Sequence, residues 1–246
     1  MLGTRLAPTC RAILSIMLVL LAGCAPVRFA NPIIEVSPAE SGHVVMAIGS
    51  DRNYSYQSTA WIIRSVADDR HGALIWPTPG VELKFGAKHD YLFDEKWGEV
   101  ASLALPPGKY ELVSFQLERG RGTAFFIRWT PRKRFAIPFS VEQGKVTYLG
   151  EMLTRSVRVS SFPARSEPRV FELTNQFERD MVYARKKYPA LQSLPVTIAV
   201  PDVSRLGIPY ITNRPIDVES APAIEMGPPS QPEKPATQTS AGRNHG

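Results

Sequence analysis

The chain has 246 residues, 43% of them hydrophobic, with 22 prolines and a formal net charge of +6. That composition fits a folded domain with many turns and argues against a disordered chain or a helical bundle. Its basic excess is small and scattered, which excludes a nucleic-acid partner, and the only cysteines are Cys10 and Cys24.

Residues 1–11 carry Arg5 and Arg11 and no acid, and residues 12–22 form an unbroken apolar run apart from Ser15. A spanning helix needs about 20 apolar residues, so this run is too short to cross a bilayer and reads as an export signal. It ends in Leu21-Ala22-Gly23-Cys24, which resembles the lipobox of bacterial lipoproteins. The resemblance implies cleavage between Gly23 and Cys24, acylation of Cys24, and a membrane partner reached through those acyl chains. Each buried methylene contributes about 0.8 kcal/mol, so two or three chains hold a protein permanently. Ala25, rather than Asp, follows the cysteine, and this implies the outer membrane of a Gram-negative bacterium, facing the periplasm or exposed at the surface. Removal of residues 1–23 lowers the net charge by two and leaves Cys24 as the sole cysteine. A disulfide, a Cys nucleophile and a Cys-ligated metal are thereby excluded from the mature chain.

Residues 24–41, with Pro26, Pro32 and Pro38, read as a tether. From Gly42 the pattern becomes short apolar runs between turn residues, and a domain is expected over 42–211. That length suffices to bury roughly 70% of the unfolded-chain surface. Strands are predicted at His43–Ile48, Thr59–Val66, Val81–Phe85, Val100–Leu105, Tyr110–Leu117, Thr123–Trp129, Phe135–Val141, Val146–Leu153 and Val157–Ser160. Phe135, Ile137, Phe139 and Val141 alternate with Arg134, Ala136, Pro138 and Ser140, a half-buried strand that Pro138 assigns to a sheet edge. Pro106-Pro107-Gly108, Glu142-Gln143-Gly144 and Arg119-Gly120-Arg121-Gly122 supply turns, the last a hairpin connection. Many short strands with few helices between them predict an antiparallel β-sandwich.

One helix is predicted over about 175–188. Asn175 is its expected N-cap, with Glu178 three residues later. Phe177, Met181, Ala184 and Tyr188 form one apolar stripe, Arg185, Lys186 and Lys187 complement the dipole, and Pro189 stops the helix. A short strand at Val196–Val200 follows. Residues 212–246 read as a disordered, Pro-rich tail, the apolar pattern being lost from about Asp217.

Leu105-Pro106-Pro107-Gly108-Lys109-Tyr110-Glu111-Leu112 resembles a hairpin of small surface β-sandwich modules. Phe139-Ser140-Val141 with Gly144-Lys145-Val146-Thr147-Tyr148-Leu149-Gly150-Glu151 resembles their later strand pair. Together they are similar to prealbumin-like sandwich domains of uncharacterised bacterial lipoproteins, including one group of domains of unknown function. The likeness covers about 50 residues. It implies a mainly β fold of Ig-like or prealbumin-like type, here with one C-terminal packing helix, and it implies no activity.

The four histidines, His43, His71, His89 and His245, show no metal-ligand spacing, and no metal or cofactor is expected. Asp68-Asp69-Arg70-His71 and His89-Asp90 are the local acid–His groupings, and both read as surface turns. No nucleophile elbow, P-loop or dinucleotide fingerprint is present. Tyr54, Tyr56, Trp61, Trp76, Trp97 and Trp129 read as packing rather than as a glycan platform. The candidate contact residues are Arg119, Arg121, Arg128, Arg132, Lys133 and Arg134, which flank the strand Thr123–Trp129 and would face anionic lipid, lipopolysaccharide or an envelope protein. The expected function is a non-enzymatic binding or structural module of the cell envelope. The alternatives are an envelope hydrolase or an accessory subunit of an export or surface-assembly complex that uses the Pro-rich tail.

Overall fold

The computed structural model describes residues 40–51, 56, 58–77, 89–93, 95–121, 125–161 and 164–228. The signal with Leu21–Cys24, the tether up to residue 39, the expected strand Val81–Phe85 and the tail from residue 229 lie outside the described residues.

The strand β1 (Gly42–Asp51) is buried at every position from Val44 to Ser50. A strand enclosed on both faces belongs between two layers. It pairs antiparallel with β5 (Lys96–Leu105) and parallel with β9 (Val146–Ser161). The sheet extends past β5 to β4 (Tyr91–Phe93), and past β9 to β10 (Ala164–Thr174) and β12 (Ile211–Thr212). A short strand, β11 (Val196–Ile198), joins the start of β9. Three of these pairings are parallel, so this seven-stranded sheet is mixed, whereas the sequence pattern predicted antiparallel pairing throughout. Alternation shows which face of a strand is buried; it carries nothing about the direction of a neighbour that arrives far later in the chain.

The second sheet is five-stranded and antiparallel. β3 (His71–Pro77), β2 (Ser58–Ser65) and β6 (Gly108–Arg121) lie in that order, and β7 (Phe125–Trp129) and β8 (Ile137–Val141) share the far edge of β6. β8 buries Ile137, Phe139 and Val141 and exposes Pro138 and Ser140, the alternation and edge position expected from Pro138.

A shared core lies between the sheets. Trp61 and Phe115 of the second sheet meet Phe171 of the first at centroid distances of 5.0 and 4.5 Å, and Val44, Met46, Ile48, Leu112, Leu149 and Met152 surround them. The Trp61–Phe171 pair is edge-to-face, a geometry worth roughly 0.5–1.5 kcal/mol beyond its buried area.

Two turns read as joining paired strands instead carry the chain between sheets. Pro106-Pro107 links β5 to β6, and Glu142–Lys145 links β8 to β9, so neither resembled motif is a hairpin or strand pair. Tyr110 pins the first crossing by donating its hydroxyl to Pro106 O at 2.7 Å. Gly144 allows the second, with φ +67.

The helix α1 (Phe177–Lys187) covers the outer face of the mixed sheet. Its Met181 and Ala184 are buried with Val45, Ala47, Val100 and Tyr148, and Phe177 and Tyr188 pack at the rim, as the stripe predicts. The N-cap is Gln176 rather than Asn175. The Asn175 side chain bonds Phe177 N at 3.1 Å, which forms a turn before the helix instead of capping it. The chain also stays packed beyond residue 211. Ala221 and Ile224 are buried, and Met226 bridges to Pro131, so the expected boundary of the tail at 212 moves past Gly227. Three apolar residues spaced through a Pro-rich stretch leave no period from which this packing can be read.

Candidate functional site

Two places concentrate polar chemistry. The first lies between α1 and the mixed sheet. In β9, the register against β1 slips between Tyr148 and Glu151, and Gly150 takes φ +100 there. The extra residue shifts the strand's phase, so Tyr148 and Glu151 both face the helix while Leu149 and Met152 face the core. Tyr148 donates its hydroxyl to Asp180 Oδ2 at 2.6 Å and accepts from Gln176 N at 3.1 Å. Arg179 reaches Asp180 Oδ1 at 2.6 Å and Glu151 Oε1 at 3.0 Å, with its guanidinium 4.0 Å from the centroid of the Tyr91 ring. Thr174 donates to Glu151 Oε2 at 3.3 Å.

Asp180 is fully buried and Glu151 is 3% exposed. Burial pushes the Asp180 carboxyl up to about 6, against the opposing pull of Tyr148 and Arg179, and Glu151 adds to the rise. Burial also raises the Tyr148 and Tyr91 hydroxyls, helped by Asp180 for the first and Glu151 for the second. Both carboxylates and both tyrosines are thus committed to a closed layer that fastens the helix down. Sequence reading missed this cluster, because an acid in the first turn of a helix ordinarily only complements the dipole. At the other end of α1, Lys187 bonds Glu99 at 2.7 Å and Asp90 at 3.2 Å, a fold contact rather than dipole complementation alone.

The second place is the outer face of the five-stranded sheet, beside the expected basic residues. Arg119, Gly120 and Arg121, expected in the hairpin connection, are instead the last residues of β6 and pair with Ile127, Phe126 and Phe125 of β7; the side chains of Arg119 and Arg121 lie outside the described residues. Arg128 is held by Glu118, both Nε and Nη2 lying 2.8 Å from Oε1. Arg132, Lys133 and Arg134 follow β7 and are exposed, and among the described residues none of them lies within ion-pair distance of a carboxylate. In this register Arg121 lies opposite the start of β7 and Arg119 opposite its middle, while Arg128 lies near the end of the strand and Arg132–Arg134 follow it. Of the six, Arg134 lines a groove.

That groove has a volume of about 310 Å³ and is lined by Ile62, Arg64 and His71 from β2 and β3, by Val113, Ser114 and Gln116 of β6, and by Thr130, Pro131, Arg134 and Phe135. Arg64 is engaged with Glu111 at 2.6 Å and Asp69 at 3.6 Å.

The local acid–His groupings are structural. Asp68 binds Arg70, which holds its carboxyl well below the usual range, at about 2. Asp90 accepts from Val100 N at 2.7 Å, and His89 stacks on Trp97 with centroids 5.8 Å apart. Trp61 is a core residue, and Tyr56 meets Trp129 edge-to-face at 5.6 Å. Tyr54 and the Trp76 side chain lie outside the described residues. Among the described residues no group of three or more His, Cys, Asp or Glu is arranged to hold a metal ion, and no helix is long and apolar enough to cross a membrane.

No protein-family model matches the chain, and no curated protein matches it. A solved leucine-rich repeat protein from Bacteroides thetaiotaomicron is similar over 49% of this chain and 14% of its own, at 18% identity and a TM-score of 0.29. A similarity of that size assigns neither fold nor function.

Proposed function

We propose that this protein is a lipid-anchored, non-enzymatic binding or structural module of the cell envelope, held at the outer membrane by acyl chains on Cys24. The observation that carries the reading is Leu21-Ala22-Gly23-Cys24 directly behind a short apolar run. The pairing of the buried carboxylates and of the half-buried charges around them supports the non-enzymatic part. Glu151, Asp180 and Arg179 are spent on one another beneath α1, Asp51 and Glu172 on Arg155, and Asp90 and Glu99 on Lys187. Groups tied up in this way position elements rather than meet a substrate.

The finer fold assignment belongs to the same proposal. A two-sheet aromatic core, with a tyrosine near a strand start bonded to the backbone four residues upstream, supports an Ig-like or prealbumin-like sandwich. The test is a Cys24→Ala variant grown with a clickable palmitate analogue. It is expected to lose the label and leave the membrane fraction while keeping its fold. Retention of the unlabelled variant in the membrane would overturn the reading.

A further inference from the structure

The groove on the outer face of the second sheet coincides with two interruptions of β6. Toward β7 the ladder ends at Leu117, and toward β8 it resumes at Leu112, so Val113–Gln116 carry no strand partner on that edge among the described residues. On the other edge, Ile62 pairs with Ser114 and Ile63 with Leu112, which leaves Val113 as an extra residue. Such a β-bulge bends its strand and re-aims neighbouring side chains, and bulges are over-represented beside functional sites. The groove opens at this point, lined by Val113, Ser114 and Gln116 together with Thr130, Pro131, Arg134 and Phe135.

We propose that this groove binds an acidic saccharide of the uronate type, a ligand that carries a carboxylate together with free hydroxyls. The inference rests on the binding-module reading but not on the lipid anchor. Charge sets the sign of the ligand. The lining contains Arg64, His71 and Arg134 and no acid, and Arg132 and Lys133 stand beside it with no carboxylate partner among the described residues. Arg64 is already shared with Glu111, so Arg134 is the cation available to the anion.

The hydroxyls follow from Gln116. Its Oε1 is buried without a hydrogen-bond donor among the described residues. A buried acceptor left without a donor is costly, and a ligand O–H removes that cost. Sulfate and phosphodiester groups offer acceptors only and leave Gln116 unsatisfied. Ser114 and Thr130 add hydroxyls that donate or accept, while Pro131 and Phe135 supply apolar wall for the C–H face of a sugar ring. An added peptide strand is disfavoured, because the bulge at Val113 breaks the regular N–H and C=O spacing that strand addition uses.

The test is calorimetric titration of the full protein, with or without an acyl chain, with trigalacturonate. Maltotriose, sodium sulfate, triglutamate and phosphatidylglycerol vesicles are titrated in parallel. Saturable binding of trigalacturonate is expected, with none of the other four matching it. Gln116→Leu and Arg134→Ala are each expected to weaken it by about tenfold or more. Lys145→Ala removes an exposed cation outside the groove and should leave the affinity unchanged. Arg134 is exposed, so its variant keeps the fold and carries the test even where Gln116→Leu does not. Absence of trigalacturonate binding, equal affinity in the Arg134→Ala variant, or equal or tighter binding of sulfate, peptide or vesicles overturns the proposal. Palmitate labelling at Cys24 reads the anchor separately, so the two ideas fail independently.

Discussion

Tyr148 and Asp180 meet at 2.6 Å, one rising from the middle of the mixed sheet and the other from the helix that covers it. Both are fully buried, and the same hydroxyl also receives the Gln176 amide at the start of α1. Tyr148→Phe removes the donor without changing shape, leaving a buried carboxylate oxygen and a backbone N–H without this partner. A loss of about 1–3 kcal/mol is expected on urea unfolding.

Arg179 is the only positive charge among the described contacts of Glu151 and Asp180. Arg179→Met should therefore cost about 3–5 kcal/mol, because two buried carboxylates lose their counter-charge. Replacing all three residues by apolar ones of similar volume should cost less than the single change. Chemical unfolding of both variants measures the order, and equal losses would show that the guanidinium acts only through its packing on Tyr91.

The Asp180 carboxyl titrates near 6 in the folded protein against an ordinary 3.8. Between those values the native state holds a proton that the unfolded chain has released, so this group's contribution to stability grows as pH falls from 6 to 4. The full effect is up to roughly 3 kcal/mol. Glu172, also raised by burial, acts in the same sense, whereas His43, lowered by burial, acts in the opposite sense below its ordinary 6.5. The Asp180 share is the difference between wild type and Asp180→Asn across this window. The wild type should gain on the variant as the solution is acidified.

Phe171 joins the two sheets, touching Trp61 at 5.0 Å and Phe115 at 4.5 Å between centroids. Phe171→Ala opens a cavity where neither sheet can close independently, and a loss of about 3–5 kcal/mol is expected in denaturant unfolding. A loss near 1 kcal/mol would show that the sheets reseal.

The legible parts of this fold are those with strong local period. β8 was readable from four alternating apolar residues and one proline, and the stripe on α1 from Phe177 to Tyr188. β10 was not, because Ser166-Glu167-Pro168-Arg169 reads as a turn. In the structure its ladder to β9 is irregular between Pro168 and Val170, and such an irregularity tolerates a residue without an N–H. β9 was read as two strands because Thr154-Arg155-Ser156 is polar. Those residues are accommodated by Asp51, which accepts from Ser156 N at 3.0 Å and lies 3.4 Å from Arg155 Nε. β3 was hidden by its glycine and by the charged turn before it.

The groove was half legible. Arg132–Arg134 stood out as a basic run, but the bulge at Val113 and the orphaned Gln116 oxygen depend on pairing between distant strands and leave no local mark. The cluster beneath α1 depends on the same kind of pairing, since Glu151 reaches Arg179 only through the register slip at Gly150.

The most direct measurement of the central claim is the mass of the mature N-terminal peptide. Trypsin cuts after Arg28, so the mature protein should yield Cys24–Arg28 with a diacylglyceryl group on the cysteine sulfur, and nothing from residues 1–23. Recovery of Cys24 as a free thiol, or of a mature chain that begins at another residue, would contradict the account.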